Sequence, residues 1–314
     1  AQRRIKKAID ESAFRLDLSG LGLISVPPQI GQLVSVTELS LNFNRLPVVL
    51  SEVLQLTGLT ELYLQSNQLT TVPPDIGQMT QLKVLCLQSN QLTVIPPDIG
   101  QLTQLETLRL ENNHLTVLPS EIGCLTELIY LYLWENQLTV VPSEIGQLTK
   151  LMDLQLFGNQ LTVIPPEIGQ LTRLKQLLLN HNYLTTLPPE ISMLKELMNL
   201  WLQANKLTVV PPEITQLRKL NILYLEGNPD LSIPPEIVAQ GDNAQAILDY
   251  LREQQEAPAR PLNEAKLILV GQGGVGKTSL VKQLLEQGFD EAENQTEGIN
   301  IQTWSLDVNR PQQG

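Results

Sequence analysis

The chain has 314 residues, enough for about two domains, and 42% of them are apolar although only 4% are aromatic. This composition predicts a packed core built from aliphatic side chains. The 33 acidic and 21 basic residues give a net charge of −12. Because an acidic chain repels nucleic acid and anionic membranes, we expect neither as a general partner. No apolar run approaches the length of a membrane span.

The first twelve residues, AQRRIKKAIDES, predict a capping helix over 1–12. Four basic side chains, Arg3, Arg4, Lys6 and Lys7, lie within this segment. A short run of this kind usually decorates a solvated helix face. We therefore expect a structural cap here rather than a binding site.

A unit of 23 residues then recurs ten times, with the pattern L-x-x-L-x-L-x-x-N-x-L-T-x-[VIL]-P-x-[DE]-I-G-Q-L. A fixed period of this length indicates a stacked repeat architecture. The unit resembles the leucine-rich repeat family over roughly residues 13–240. That resemblance implies an α/β solenoid with a parallel sheet on its concave face. The second leucine of each copy is found at Leu16, Leu39, Leu62, Leu85, Leu108, Leu131, Leu154, Leu177, Leu200 and Leu223.

Each part of the unit has its own structural meaning. The L-x-L alternation predicts a short strand with alternate residues buried. Proline ends that strand and can open a helical turn, from which apolar residues such as Ile99 and Leu102 face inward. The recurring asparagine turns the chain, and we expect its amide to bond backbone groups of neighbouring turns. This column contains Asn44, Asn67, Asn90, Asn113, Asn136, Asn159, Asn182, Asn205 and Asn228, whereas the first repeat has Leu21.

Stacked repeats need a lid at each end, because each repeat buries its leucines only against a neighbour. After the last repeat, Ala244, Ile247, Leu248 and Leu251 form one apolar stripe. This stripe predicts a closing helix over 242–255, and EAPARPLN predicts a linker over 256–263. We assign 241–263 to the C-terminal cap and linker.

One acidic residue recurs on the predicted convex side. We expect it to complement the dipole of a short helix at its first turn, although a stripe that binds a cation or a basic partner is the alternative. The column consists of Asp75, Asp98, Glu121, Glu144, Glu167, Glu190, Glu213 and Glu236.

The concave face has a different character, because seven of the 13 aromatic residues fall on its exposed positions. Glu111, Glu135 and Asp153 lie around them. The aromatics could simply form ladders that stabilise the sheet. A concave, partly apolar strip is also typical of an interaction surface, and we predict that it binds a protein or peptide. The predicted contact residues are Tyr63, Arg109, Tyr130, Tyr132, Trp134, Phe157, Trp201 and Tyr224.

The histidines and cysteines are too few for most catalytic or metal sites. His114 and His181 are the only histidines, which leaves little material for a serine hydrolase or a histidine metal site. Cys86 and Cys124 are the only cysteines, and neither lies at an end of the repeats. Because secreted repeat proteins usually have disulfide-bonded ends, we expect a cytoplasmic protein.

A phosphate-binding motif follows the linker. Lys266–Val270 reads as a buried strand, 271–278 matches G-x-x-x-x-G-K-[ST], and helical spacing follows. In such a loop Lys277 would hold the β- and γ-phosphates, and the Thr278 hydroxyl would bind Mg²⁺. The predicted nucleotide-binding residues are Gly271, Gln272, Gly273, Gly274, Val275, Gly276, Lys277, Thr278 and Ser279.

Downstream, Thr296-Glu297-Gly298-Ile299 precedes an alternating strand and resembles the switch I segment of Ras-like GTPases. The order of repeats, linker, P-loop and T-x-G-I is similar to the Roco family, which joins leucine-rich repeats to a Roc GTPase domain and a dimerising COR module. The basic opening helix that leads into 16–23 is similar to bacterial members. The resemblance implies GTP or GDP and Mg²⁺ as cofactors, with Thr296 as a Mg²⁺ contact. It also implies a signalling role.

Neither D-x-x-G nor N-K-x-D follows Thr296 in this sequence. We therefore expect 264–314 to be a truncated Roc domain that binds nucleotide weakly or not at all, whereas the complete parent binds GTP. Without a COR module the fragment is expected to be monomeric. Two alternatives remain open, an LRR-linked P-loop ATPase of the NLR type and a passive scaffold without nucleotide chemistry.

Overall fold

The computed structural model describes residues 1–49 and 51–256. The chain divides into two units, Ala1–Gln255 and Glu256–Gly314. The predicted P-loop at 271–279 and Thr296 lie outside the described residues.

Ten short parallel strands form one sheet in chain order. Each strand pairs with the next at a step of one repeat, so that Leu16 lies beside Leu39 and Leu39 beside Leu62. The predicted α/β leucine-rich-repeat solenoid is therefore confirmed. The strands are β1 (Arg15–Asp17), β2 (Glu38–Ser40), β3 (Glu61–Tyr63), β4 (Val84–Cys86), β5 (Thr107–Arg109), β6 (Tyr130–Tyr132), β7 (Asp153–Gln155), β8 (Gln176–Leu178), β9 (Asn199–Trp201) and β10 (Ile222–Tyr224).

The opposite, convex side consists of five-residue 3-10 helices, with Pro or Ser at their first position. Repeats 2 and 10 differ, since they have short α-helices instead, α2 (Ser51–Leu54) and α3 (Pro235–Val238). The recurring acid lies in the first turn, as predicted. The 3-10 helices are Pro28–Gln32, Pro74–Gln78, Pro97–Gln101, Ser120–Cys124, Ser143–Gln147, Pro166–Gln170, Pro189–Met193 and Pro212–Gln216.

The core lies between these two sides and is built almost wholly from leucine and isoleucine. Leu108, Leu131 and Ile145 are fully buried, and the equivalent positions of the other repeats are similar. Helix α1 (Gln2–Asp10) covers the first repeat with Ile5 and Ala8. Helix α4 (Ala244–Glu256) covers the last repeat with Ala244, Ile247 and Leu248. Both helices lie where the sequence pattern placed a cap.

The asparagine column forms a ladder that ties each repeat to the two before it. The Asn90 amide donates to the backbone oxygens of Leu64 and Leu87 at 3.1 and 2.9 Å. Its side-chain oxygen accepts the backbone N–H of Leu69 at 3.0 Å. All nine asparagines are buried, and each repeats this pattern. The predicted role of this residue is confirmed.

The residue before each of these asparagines adopts a left-handed conformation. Its φ lies between 51° and 72° in every repeat. Glycine fills the position only in repeats 1, 7 and 10, and the column otherwise includes residues such as Phe43, Glu135 and His181. A left-handed residue costs a non-glycine side chain about 1 kcal/mol or more. The bonds of the adjacent asparagine ladder offset that cost.

Candidate partner-binding face

The predicted contact residues lie on the concave face of the sheet, but they form three separate patches. Strand register places Arg109 beside Tyr132 and Trp201 beside Tyr224. Tyr63 is separated from Arg109 by the strand that contains Cys86. The largest patch, here called the central cluster, consists of Arg109, Tyr130, Tyr132, Trp134 and Phe157, with the carboxylates Glu111 and Asp153.

Two rings form the apolar part of the central cluster. Trp134 and Phe157, one repeat apart, stack with centroids 5.1 Å apart and planes inclined by 7°. Such pairs contribute about 0.5–1.5 kcal/mol beyond the area they bury. Tyr130 is 41% exposed and is inclined by 35° to Tyr132, at a centroid distance of 6.4 Å. The cluster therefore offers a stacked, partly solvated aromatic surface.

An ion pair borders these rings. The Arg109 guanidinium lies 5.4 Å from the centroid of Tyr132, and its Nε donates to Oε1 of Glu111 at 2.8 Å. Glu111 is only 1% exposed. Its second oxygen, Oε2, is buried without a hydrogen-bond partner in the part of the chain that the structure describes. A buried acceptor without a donor costs roughly 1–3 kcal/mol, so this oxygen is able to accept a donor from a partner.

Asp153 is the second buried carboxylate of the cluster. It accepts the Tyr132 hydroxyl at 3.3 Å and the Gln155 amide at 3.1 Å. Burial raises the pKa of Asp153, and these two hydrogen bonds oppose the rise. Burial also raises the pKa of Tyr132 to about 12, aided by the nearby Asp153. Tyr132 is therefore a neutral donor at physiological pH, and it holds the carboxylate in place.

The second patch is the pair Trp201 and Tyr224. Their rings meet edge to face, with centroids 5.5 Å apart and planes inclined by 64°. The Tyr224 hydroxyl donates to Asp242, just before α4, and this bond is the main cause of the raised pKa of Tyr224. The indole nitrogen of Trp201 is buried without an acceptor among the described residues. Leu178 separates this pair from the central cluster in the same column.

The third patch is Tyr63 alone. Its hydroxyl donates to Glu61 at 2.6 Å, and burial is the main cause that raises its pKa well above the usual range. The adjacent Cys86 is buried, which raises the pKa of its thiol to about 11. That thiol is therefore protonated at neutral pH and is not an activated nucleophile. Both cysteines are free.

Sequence reasoning missed a second exposed apolar column. A valine two residues before the proline that precedes most 3-10 helices is about half exposed, and it recurs at the repeat period. The signal was present in the sequence, but the position was treated as variable. The exposed members are Val94, Val117, Val140, Val163 and Val209, at 44–52%.

Other chemistry is limited in the described part of the chain. No group of three or more His, Cys, Asp or Glu side chains there could hold a metal ion. No helix among those residues is long and apolar enough to cross a membrane. The convex acids bond locally, as Asp75 does to Gln78 at 2.9 Å. The concave face is thus the candidate site, and the P-loop lies beyond the described residues.

Family models match two kinds of sequence in this chain. Residues 73–180 match the leucine-rich repeat region, and 172–229 and 58–79 match leucine rich repeat models. Residues 266–314 match the Ras of Complex, Roc, domain of DAPkinase. The chain therefore combines leucine-rich repeats with a Roc-type segment, in that order.

Solved structures with the same fold include a bacterial protein and two plant receptors. The Leptospira interrogans LRR protein LIC12759 is 39% identical, with a TM-score of 0.58, over 74% of this chain and 62% of that one. The Arabidopsis receptor kinase HAESA, in complex with the peptide hormone IDA and the co-receptor SERK1, is 30% identical, with a TM-score of 0.61, over 69% and 39%. The plant peptide hormone receptor RGFR1, in complex with RGF2, is 30% identical, with a TM-score of 0.59, over 64% and 34%. The chain thus spans less than two thirds of each of these proteins, and no curated protein sequence matches it.

Proposed function

We propose that the concave face binds a protein or peptide, and that the chain is the repeat region of a Roco-type GTP-binding signalling protein of the bacterial type. The observation that supports partner binding is the central cluster. It combines stacked rings with a buried carboxylate oxygen that has no partner among the described residues. The peptide complexes of HAESA and RGFR1 agree with this role for the fold.

The physical case rests on what an occupant would gain. Aromatic side chains that are partly exposed and already stacked lose little conformational freedom on binding, and they bury a large apolar area. Glu111 Oε2 and the indole N–H of Trp201 supply an acceptor and a donor for backbone groups of a bound segment. Burial of these groups with satisfied bonds would favour binding, because their desolvation is already complete.

For the nucleotide, the proposal rests on the Roc match over 266–314 and on the full P-loop pattern. In the complete parent, Lys277 would hold phosphate oxygens, while Thr278 and Thr296 would contact Mg²⁺. The family likeness extends the proposal to a cytoplasmic location and to dimerisation through a COR module. The GTPase cycle would then switch the availability of the repeats.

The concave face is tested by affinity capture of partners from the source cell. We expect Trp134→Ala combined with Trp201→Ala to lower recovery of the partner at least about tenfold, because aromatic anchors dominate most interfaces. Tyr183→Ala is the matched control, because Tyr183 is 47% exposed and stacks on Lys206 away from these patches. Unchanged recovery by a folded double variant would contradict the proposal.

The nucleotide proposal is tested by calorimetry with GTP, GDP and ATP. The measurement uses this chain and a longer version that includes D-x-x-G and N-K-x-D motifs. We expect the longer version to bind GTP and GDP, and Lys277→Ala to weaken GTP binding by about 100-fold, as befits loss of a charged phosphate contact. A preference for ATP would instead favour a P-loop ATPase.

A further inference from the structure

A basic cleft lies at the C-terminal end of the solenoid, away from the aromatic patches. It has a volume of about 810 Å³. It is formed by the segments that precede β9 and β10, the 3-10 helix Pro212–Gln216 and helix α4. The lining residues are Lys195, Glu196, Thr215, Gln216, Arg218, Lys219 and Arg252.

The charge of this cleft is opposite to that of the chain. Four lining residues are Lys or Arg and one is Glu, whereas the chain as a whole carries −12. Lys219 pairs with Glu196 at 2.7 Å, and Arg252 pairs with Asp249. Among the described residues, neither Lys195 nor Arg218 forms an ion pair. Two positive charges are therefore left without compensation on the same surface.

The repeat pattern shows that these two charges are departures from a rule. Lys195 and Arg218 follow a buried leucine, at a position where the six preceding repeats have threonine. The threonines are Thr57, Thr80, Thr103, Thr126, Thr149 and Thr172. Threonine evidently serves the fold at this exposed position, so packing does not require a basic residue there. The signal was visible in the sequence, but only to a comparison of the repeats with one another.

The local contacts prepare the cleft for an anionic ligand. Arg252 donates to the backbone oxygen of Thr215 at 2.9 Å, which holds its guanidinium against the cleft wall. Lys195 donates to the side chain of Gln216 at 3.3 Å, a neutral acceptor that leaves its charge uncompensated. Arg and Lys side chains that are already placed by such bonds lose less freedom when they bind a carboxylate.

We infer that this cleft binds a short acidic segment of a partner protein. A single inorganic anion would fill only a small part of its volume. A long polyanion such as nucleic acid would meet the repulsion of the acidic chain outside the cleft. A short run of Asp or Glu matches both the length of the cleft and its local charge. Its carboxylates pair with Arg218 and Lys195, and they compete with Glu196 and Asp249 for the other two cations.

The test uses a fluorescent hexaglutamate peptide and the complete 314-residue chain, with binding followed by anisotropy at low ionic strength. We expect saturable binding, and at least about a tenfold loss of affinity in Lys195→Thr combined with Arg218→Thr, because two charge contacts are removed. These substitutions restore the residue of the other repeats, so the double variant is expected to fold. Higher salt should also weaken binding, since the pairs are partly exposed.

The matched control is Lys83→Thr combined with Lys150→Thr, which removes the same charge from two other repeats. Both lysines pair with a glutamate 23 residues away, as Lys219 does. Equal loss in both double variants, or no binding to the unaltered chain, would overturn the inference. Displacement of the peptide by inorganic phosphate at an equal concentration would also overturn it and would identify a small anion as the occupant.

Discussion

At the scale of single residues, the asparagine ladder shows how one side chain can join three repeats. Asn136 donates to the backbone oxygens of Leu110 and Leu133 and accepts the backbone N–H of Leu115. All these groups are buried, so water does not replace the amide. The same residue type at an exposed turn would contribute only a fraction of this stability.

We therefore predict that Asn136→Ala lowers the free energy of unfolding by about 3–5 kcal/mol, because three buried backbone groups lose their partner. Denaturant unfolding followed by circular dichroism measures the change. Gln137→Ala is the control, since this neighbouring amide is exposed and its loss should cost less than about 0.5 kcal/mol. A similar effect for both variants would show that the ladder is not the cause.

Residue-level prediction succeeded where a residue recurs and failed where its neighbours decide its role. The burial of the asparagines and leucines follows from their period alone. The separation of Tyr63 from the central cluster does not, because it depends on Cys86, a small residue between two large ones in the same column. The unpartnered oxygen of Glu111 also depends on side-chain packing, which a single sequence does not specify.

At the scale of elements, glycine controls how closely the 3-10 helices of the convex side stack. A Cβ atom on Gly169 would lie 2.6 Å from the backbone oxygen of Glu190 in the next repeat. Gly77, Gly100, Gly123 and Gly146 meet the next repeat in the same way, at 2.7–2.9 Å. Gly31 is different, because repeat 2 has helix α2 there and the nearest atom is 3.5 Å away.

This contrast gives a matched pair of substitutions. We expect Gly169→Ala to destabilise the solenoid by about 1–3 kcal/mol, because a backbone atom must move to admit the methyl group. Gly31→Ala should be nearly neutral, since the new methyl group meets only ordinary van der Waals contacts. Thermal unfolding of both variants measures the difference, and an equal loss in the two would refute the packing explanation.

The type of the convex helices was less accessible to sequence reasoning than their position. Proline and the acidic residue mark where each one begins, and both features are visible in the pattern. Five residues are too few for helical periodicity to distinguish a 3-10 helix from an α-helix. The close stacking that glycine permits, rather than local propensity, selects the tighter form.

At the scale of the whole molecule, stability depends on the two ends, because each repeat contacts only its neighbours. Ile247 and Leu248 of α4 are fully buried against the last repeat. An isoleucine at this position excludes water from the leucines of β9 and β10.

We predict that Ile247→Asp lowers the midpoint of unfolding and opens the solenoid from its C-terminal end, because a buried carboxylate has no partner there. Amide hydrogen exchange should show the largest loss of protection in repeats 9 and 10 and a smaller loss in repeats 4 to 6. Gln254→Asp, on the exposed side of the same helix, is the control and should leave the exchange pattern unchanged. A uniform loss along the chain would contradict end-first opening.

The asparagine ladder also sets the unit in which this protein can change its length. Each amide bonds a backbone oxygen 26 residues earlier and a backbone N–H 21 residues earlier. A duplication or loss of 23 residues restores every one of these bonds, whereas an insertion of one residue misaligns all bonds across the junction. Genetic drift in the number of repeats is therefore quantised. Whole copies can be added to lengthen the concave face, while frame errors within a copy are removed by misfolding.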